Sequence, residues 1–310
     1  VTAAMVRRMR NMCESFPEMA TCAAMQIGVV YPQIELGGSP EAVRRFGPAV
    51  EELGFAHLVA YDHVLGAVHA DREPALTGPY TENDPFHDPL MMFAYLAGLT
   101  STLGFFTGVL ILPQRQTALV ARQVADLDLF SGGRFRLGVG VGWNYVEYDA
   151  LGQDFHTRGR REEEQIELLR RLWAEPVVDF TGRFDRVERA GAHPRPSAPV
   201  PIWLGGYGGK AFERAARVGD GFVFGGPIEA TAPAWQRLRG MVEAAGRDAD
   251  KFGAEAVILT KSGPDGVARK IDQWRAVGGT HVAVNTMSLG FTHVDQHIDY
   301  LSQVAKNLFR

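Results

Sequence analysis

An aspartate–histidine pair, Asp62-His63, lies one residue after the short apolar segment His57–Ala60, which has the composition of a buried strand. About 25 residues then pass before the next helical pattern, a length typical of functional loops. Because imidazole titrates near neutrality, His63 could act as a general acid or base. Asp62 could orient it or accept a hydrogen bond from a ligand. The alternative is an aspartate that caps local backbone beside a surface histidine.

A glycine-rich turn, Gly205-Gly206-Tyr207-Gly208-Gly209-Lys210, joins a second apolar strand pattern to a helical one. Such a turn at a helix N-terminus presents backbone N–H groups to an anion, and a phosphate is the natural guest. The turn is not a Walker A loop. Leu204 stands where that motif needs its earlier glycine, and Ala211 replaces the serine or threonine.

Glycines also line one face of the strand-like run 135–142, at Gly138, Gly140 and Gly142. A face of this kind lets a flat ring approach closely, or it meets the packing needs of a barrel strand. The run is not a dinucleotide fingerprint, since Trp143 occupies the third glycine position. Gly108, inside another apolar strand pattern, indicates either a bulge near a ligand or a side chain lost to fit the barrel interior.

The elements that must position these residues alternate between strand-like and helix-like patterns from Gln26 to the end of the chain. Such alternation over roughly 250 residues predicts a single-domain (β/α)₈ barrel over residues 25–310, with its active site where strands lead into helices. A doubly wound open sheet is the alternative, but it would not need eight units. Insertions are expected after the second strand and before the fifth, the latter a hairpin turning at Thr181-Gly182. The predicted strands are Gln26–Val30, His57–Ala60, Gly104–Leu110, the glycine-rich run, Ile202–Gly205, Phe222–Phe224, Glu255–Thr260 and His281–Asn285.

The composition of the chain is that of an ordinary globular protein: 310 residues, 46% hydrophobic, 22% charged, net charge −4. No basic run favours nucleic-acid binding, and no apolar stretch reaches the roughly 20 residues of a membrane helix. Both cysteines precede Met25, so no thiolate metal site is expected in the main body, and no metal is predicted. We expect a cytoplasmic protein in which residues 1–24 form a dispensable, poorly ordered extension.

Taken together, these features resemble the bacterial luciferase-like superfamily, in particular its branch that uses the deazaflavin coenzyme F420. Four stretches carry the resemblance and span most of residues 25–224. They are Asp62-His63; Thr107–Pro113 leading into Arg122–Asp128; Ser131–Asn144, running on to Arg158–Arg160; and Gly205–Phe222.

The resemblance implies a role for each of these positions. Asp62 and His63 would lie beside the reactive ring, with His63 as proton donor or acceptor for hydride chemistry. The Gly108-Val109 bond matches a non-proline cis peptide in a bulge behind the ring, and Asn144 matches a polar contact to the coenzyme. The implied coenzyme-binding set is Asp62, Gly108, Val109, Gly140, Gly142, Asn144, Gly205, Gly206, Tyr207, Gly208 and Gly209.

One departure separates this chain from the sugar-phosphate dehydrogenases of that branch, which have a glutamate where Gly142-Trp143 stands here. The departure argues against their substrate and proton relay. We therefore expect an F420-dependent oxidoreductase acting on a small organic substrate. The alternatives are an FMN-dependent monooxygenase and a non-catalytic flavin- or deazaflavin-binding protein. The resemblance also implies a homodimer, with a reductase only as the supplier of diffusible reduced cofactor.

Overall fold

The computed structural model describes residues 25–309, so the extension predicted for residues 1–24 lies outside the described part. Eight strand positions form one closed parallel sheet, in the order β3-β2-β1-β11-β10-β9-β8-β5, and β5 pairs back with β3. This confirms the predicted (β/α)₈ barrel and its eight strands. The strands are β1 Gln26–Val30, β2 His57–Ala60, β3 Gly104–Thr107, β4 Leu110–Ile111, β5 Phe135–Gly140, β6 Val178–Thr181, β7 Arg186–Ala190, β8 Ile202–Gly205, β9 Gly221–Gly225, β10 Gly253–Leu259 and β11 His281–Asn285.

The helices surround this barrel, and some of them begin at a side-chain cap. Ser39 accepts the Ala42 N–H at the start of α1, and Asp88 accepts the Leu90 and Met91 N–H groups at the start of α2. None of the described helices is long and apolar enough to cross a membrane. The helices are α1 Pro40–Glu52, α2 Pro89–Ala97, α3 Thr117–Ser131, α4 Tyr145–Ala150, α5 Arg158–Ala174, α6 Gly209–Val218, α7 Ile228–Ala244, α8 Gly263–Ala276 and α9 Val294–Leu308.

The third barrel strand is interrupted, because β3 ends at Thr107 and resumes as β4 after a cis Gly108–Val109 peptide bond. Across the break, the Thr107 hydroxyl donates to the Gly138 carbonyl oxygen at 2.7 Å and accepts the Gly138 N–H at 2.8 Å. A side chain at Gly138 would overlap the Thr107 carbonyl. The interruption is the bulge that Gly108 indicated, with the cis peptide that the resemblance implied.

The two predicted insertions are present, and one differs in detail. Residues 63–88, here called the lid, follow β2 without helix or strand. The hairpin β6–β7 turns through residues 182–185, where the Gly182 N–H donates to the Asp185 carbonyl, and its second strand extends to Ala190. The turn predicted at Thr181-Gly182 therefore spans four residues, 182–185. The short helix α4 was not predicted at all.

Apolar side chains form two layers. The larger one fills the space between the barrel and its helices. The smaller one lies inside the barrel and consists of Val30, Val59, Phe106, Trp203, Val223, Ala283 and Met287. The barrel is therefore a packed core, and its rims are the places left for chemistry.

Candidate active site

The carboxyl ends of the parallel strands bring the two predicted motifs to one rim. Asp62 and His63 follow β2, and Gly205–Gly209 follow β8, so both lie at the same end of the barrel. Tyr61, just before the pair, is within electrostatic reach of Tyr207 in the turn: burial raises the pKa of Tyr61, and the Tyr80 and Tyr207 phenols raise it further. A single site can contain both motifs.

Asp62 is fully buried, and both its carboxylate oxygens have partners. One oxygen accepts the Ile111 N–H at 2.9 Å and the other accepts Arg115 at 2.7 Å. Burial raises the pKa of this carboxyl and Arg115 opposes the change. Arg115 also binds Asp88, the cap of α2, at 3.0 Å. Asp62 thus ties β4 to the end of the lid and makes no contact with the His63 ring.

The carboxylate that does face His63 comes from Glu147 on α4, a residue that sequence reasoning missed. His63 Nδ1 lies 3.3 Å from each Glu147 oxygen. One of these oxygens also accepts the N–H groups of Val64 at 2.7 Å and Leu65 at 3.0 Å. The side chains of His63 and Glu147 are 9% and 2% exposed. The available signal was a glutamate just after the polar turn that ends β5, in a segment for which no helix was predicted.

Aromatic rings surround the imidazole of His63. Phe86, Tyr80 and Trp143 approach it edge-on, at centroid distances of 4.8, 5.3 and 5.5 Å. Trp143 in turn packs under Gly78 of the lid, where a side chain would overlap the indole. The lid therefore gives the histidine a largely apolar setting that limits water.

The segment that carries Glu147 also anchors the lid. The Asn144 side chain accepts the Val146 N–H at 3.1 Å, which caps α4, and donates to the Leu65 carbonyl at 3.2 Å. The Tyr145 hydroxyl donates to the Pro74 carbonyl at 2.7 Å. The side-chain amide of Asn144, implied by the resemblance to contact the coenzyme, is engaged in capping and lid contacts in this structure.

Side chains of the interrupted strand occupy the glycine-lined face of β5. A Cβ added at Gly140 would lie 2.6 Å from Val109 Cγ2, and one at Gly205 would lie 2.6 Å from Val109 Cγ1. Gly142, at φ 62°, is similarly close to Ile111. These glycines make room for Val109 and Ile111, as the packing interpretation of this face requires.

The glycine turn after β8 has the features of an anion site. Gly208, at φ 88°, is the N-cap of α6 and offers no side-chain acceptor, so no side chain caps the first-turn N–H groups. A Cβ at Gly208 would meet nothing within 4 Å, and one at Gly209 would lie 3.5 Å from an Arg237 guanidinium nitrogen and 3.9 Å from a Glu213 carboxylate oxygen. Open space, uncapped amides and a nearby cation together fit a phosphate group.

A second charged cluster lies at the opposite end of the barrel. Glu255 is fully buried, 2.7 Å from both His57 and Arg136. The Arg136 guanidinium lies between the Phe106 and Trp203 rings. A cavity of about 840 Å³ opens beside it, at the amino ends of β8 to β11. This cavity is remote from His63 and is not the candidate active site. Within residues 25–309, no group of three or more His, Cys, Asp or Glu side chains is arranged to hold a metal ion.

A family model described as luciferase-like monooxygenase matches residues 24–296. The chain belongs to that family. This agrees with the resemblance seen in the sequence, and the match extends through most of the C-terminal third of the barrel.

Individual relatives support the same assignment. An uncharacterized Mycobacterium tuberculosis protein is 31% identical over 73% of this chain and 79% of its own length. F420-dependent hydroxymycolic acid dehydrogenase of M. tuberculosis is 29% identical over 74% of this chain and 62% of its own length. Pyrimidine monooxygenase RutA of Escherichia coli is 30% identical over 60% of this chain and 53% of its own length.

The fold has matches among crystal structures. Monooxygenase RslO1 from Streptomyces bottropensis superimposes with a TM-score of 0.74 at 20% identity, over 92% of this chain and 99% of that one. An F420-dependent secondary alcohol dehydrogenase, solved with an F420-acetone adduct, also gives a TM-score of 0.74, at 17% identity over 91% and 98% of the two chains. These likenesses establish the architecture of the barrel.

Proposed function

We propose that this protein is an oxidoreductase that transfers a hydride between coenzyme F420 and a small organic substrate. The observation that carries the proposal is the position of His63, at the same barrel rim as the uncapped glycine turn after β8. The family and the 29% identical F420-dependent dehydrogenase support this choice of chemistry.

The residues of the rim fit a coenzyme with an anionic arm. The amides of the turn and the Arg237 guanidinium would hold the phosphate, and Val109 would support the ring at the strand interruption. When bound, the deazaflavin supplies the hydride acceptor or donor at its C5. The chain itself supplies the binding groups and the proton.

His63 carries out the proton transfer in this proposal. A hydride that leaves or joins a carbon bearing oxygen or nitrogen must be matched by a proton at that heteroatom. The imidazole can hold or take this proton, and the rings of Tyr80, Phe86 and Trp143 keep bulk water from competing for it.

An FMN-dependent monooxygenase is the competing function, supported by the 30% identity with a pyrimidine monooxygenase. A flavin phosphate would fit the same turn, and a separate reductase would supply the reduced flavin. Titrating the purified protein with F420 and with FMN, followed by fluorescence, separates the two. We expect saturable binding of F420 and none of FMN. The opposite result would overturn the choice of coenzyme.

Substitution of His63 by alanine separates an enzyme from a coenzyme-binding protein. We expect turnover, followed by coenzyme absorbance across a panel of alcohols and carbonyl compounds, to fall by about 10²-fold or more. The dissociation constant for F420 should stay within a few-fold. The matched control is His156→Ala, an exposed histidine outside the site. A binding protein would show no turnover with any substrate in either form.

A further inference from the structure

We propose that Glu147 is the positioning residue for His63, and that it fixes the imidazole proton on Nδ1. This inference rests on the proposed role of His63 as proton carrier. It is carried by the contacts of one carboxylate that neither the family match nor the sequence motifs assign.

The bonding requirement of a buried carboxylate determines which imidazole nitrogen is protonated. An ionised carboxylate accepts hydrogen bonds and donates none. Its three neighbours here are the Val64 N–H, the Leu65 N–H and His63 Nδ1. If Nδ1 carried no proton, its lone pair would face the Glu147 carboxylate, and the two would repel each other. The proton therefore belongs on Nδ1, between the ring and Glu147.

The other ring nitrogen is then the one available for chemistry. In the neutral imidazole, Nε2 carries the lone pair, and no side chain or backbone group among residues 25–309 hydrogen-bonds to it. Asp62 cannot take over the role of Glu147, because Ile111 and Arg115 occupy its oxygens. Glu147 alone prepares His63 to accept a proton at Nε2 and later return it.

The same carboxylate also connects the imidazole to the lid. Glu147 holds the N–H groups of Val64 and Leu65, the two residues that follow His63. A movement of the lid base would consequently shift the ring relative to its partner. The competing explanation is that Glu147 only clamps the lid backbone and has no effect on the imidazole.

The decisive experiment is a long-range ¹H–¹⁵N correlation spectrum of the full chain with ¹⁵N-labelled histidine, recorded at alkaline pH, where an ordinary histidine is neutral. The signals of His63 are those missing from His63→Gln. We expect the Nδ1–H tautomer in the wild type. An Nε2–H tautomer there would overturn the proposal, whether or not any Glu147 variant folds.

Substitutions at Glu147 distinguish positioning from clamping. In Glu147→Gln the amide can still accept the backbone N–H groups, but its NH₂ donates to Nδ1 and should shift His63 to the Nε2–H tautomer. Glu147→Asp keeps the charge and should retain the Nδ1–H tautomer. Tyr145→Phe, which removes a lid contact only, should leave the tautomer unchanged. An unchanged tautomer in Glu147→Gln would show that Glu147 is only a clamp.

Kinetics then tests the consequence. We expect kcat to fall about 10²-fold in Glu147→Gln, with KM and the F420 dissociation constant within threefold, and to recover in part in Glu147→Asp. A Glu147→Gln enzyme as fast as the wild type would contradict the proposal. Should His63→Ala be as active as the wild type, the proposed proton transfer by His63 fails, while the tautomer measurement still decides the role of Glu147.

Discussion

At the scale of single residues, the two carboxylates around His63 have separate tasks. Asp62 holds the Ile111 N–H and Arg115 below the rim, and Glu147 faces the imidazole. A carboxylate with a buried cation and a buried amide as its only partners contributes chiefly to stability. Asp62 is therefore expected to shape the site more than to react in it.

Replacing Asp62 by asparagine tests this division. The charge on Arg115 loses its buried partner, so the free energy of unfolding should fall by about 1–3 kcal/mol, measured by urea denaturation. The control Asp295→Asn removes only a surface partner of Arg45 and should cost less than about 1 kcal/mol. Unchanged stability together with a loss of F420 affinity would instead place the carboxylate on the coenzyme.

The sequence pointed to His63 as the candidate but did not reveal its carboxylate partner, and the reason is geometric. Consecutive residues in extended backbone point to opposite sides, so Asp62 and His63 do not share a direction. Glu147 is 84 residues from His63 and meets it only because β2 and the segment after β5 end at the same rim. Adjacency along the chain is a poor guide to such a pair.

At the scale of elements, glycines in β5 and β8 leave the space that the Val109 side chain occupies. Both Gly140 and Gly205 would contact its methyl groups at 2.6 Å if they carried a Cβ. The interrupted third strand thus depends on small residues in the fourth and fifth strand positions of the barrel. The glycines of the sequence motifs are thus also the residues that allow Val109 to pack.

Substitution of Gly140 by alanine should expose that dependence. The added methyl group must displace Val109, so we expect the free energy of unfolding to fall by about 1–3 kcal/mol and F420 affinity to weaken. Gly240→Ala is the matched control, because it lies in α7 with no atom within 4 Å and should be neutral or stabilising. Equal stability of the two variants would mean that Val109 is not held in place by these glycines.

The strands were predictable because their apolar runs are short and regularly spaced, and β2 and β8 begin and end at the expected residues. The helix α4 could not be predicted, because its six residues are too few to show a helical period. It is held by contacts across the fold, including the Tyr145 hydroxyl on the Pro74 carbonyl at 2.7 Å. Tertiary contacts, unlike periodicity, cannot be seen in a short segment.

At the scale of the whole molecule, the two ends of the barrel differ in their chemistry. The amino end contains the ion cluster of Glu255, His57 and Arg136. Burial alone would raise the pKa of Glu255, but His57 and Arg136 beside it lower that pKa to about 2. Nearby His281 is affected in the same setting: burial, aided by Arg136, lowers its pKa to about 3. Because both pKa values lie well below 7, Glu255 is ionised and His281 is neutral near neutral pH.

His281 makes the stability of the protein depend on pH in a defined window. The unfolded chain takes up a proton near the ordinary histidine pKa of 6.5, and the folded chain does so only near 3. Stability attributable to this group is complete above 6.5 and is lost as the pH falls toward 3, by at most about 1.4 kcal/mol per pH unit. Urea denaturation of wild type and His281→Gln between these limits should show the variant gaining relative stability with acidity. Parallel curves of stability against pH for the wild type and His281→Gln would contradict the lowered pKa of His281. The control His193→Gln replaces an exposed histidine and should give a curve parallel to that of the wild type.

The outer surface of the barrel suggests how two copies associate. Adjacent helices α2 and α3 direct large apolar side chains to solvent, with Met91, Leu119 and Phe130 each more than half exposed and Tyr95 nearly so. Exposed apolar faces of this kind mark interaction surfaces, and a self-complementary face gives a twofold dimer. We propose that these helices form the homodimer that the resemblance implied.

Sedimentation equilibrium tests the dimer directly. We expect a dimer at micromolar concentration that becomes monomeric in the double variant Met91→Glu, Phe130→Glu, because burying two carboxylates in the interface is unfavourable. Val177→Glu, at an exposed residue before the hairpin, should remain dimeric. Since α2 begins at Asp88, which binds Arg115 beneath the site, dissociation should also weaken F420 binding. A wild-type monomer, or a double variant that still dimerises, would place the contact elsewhere.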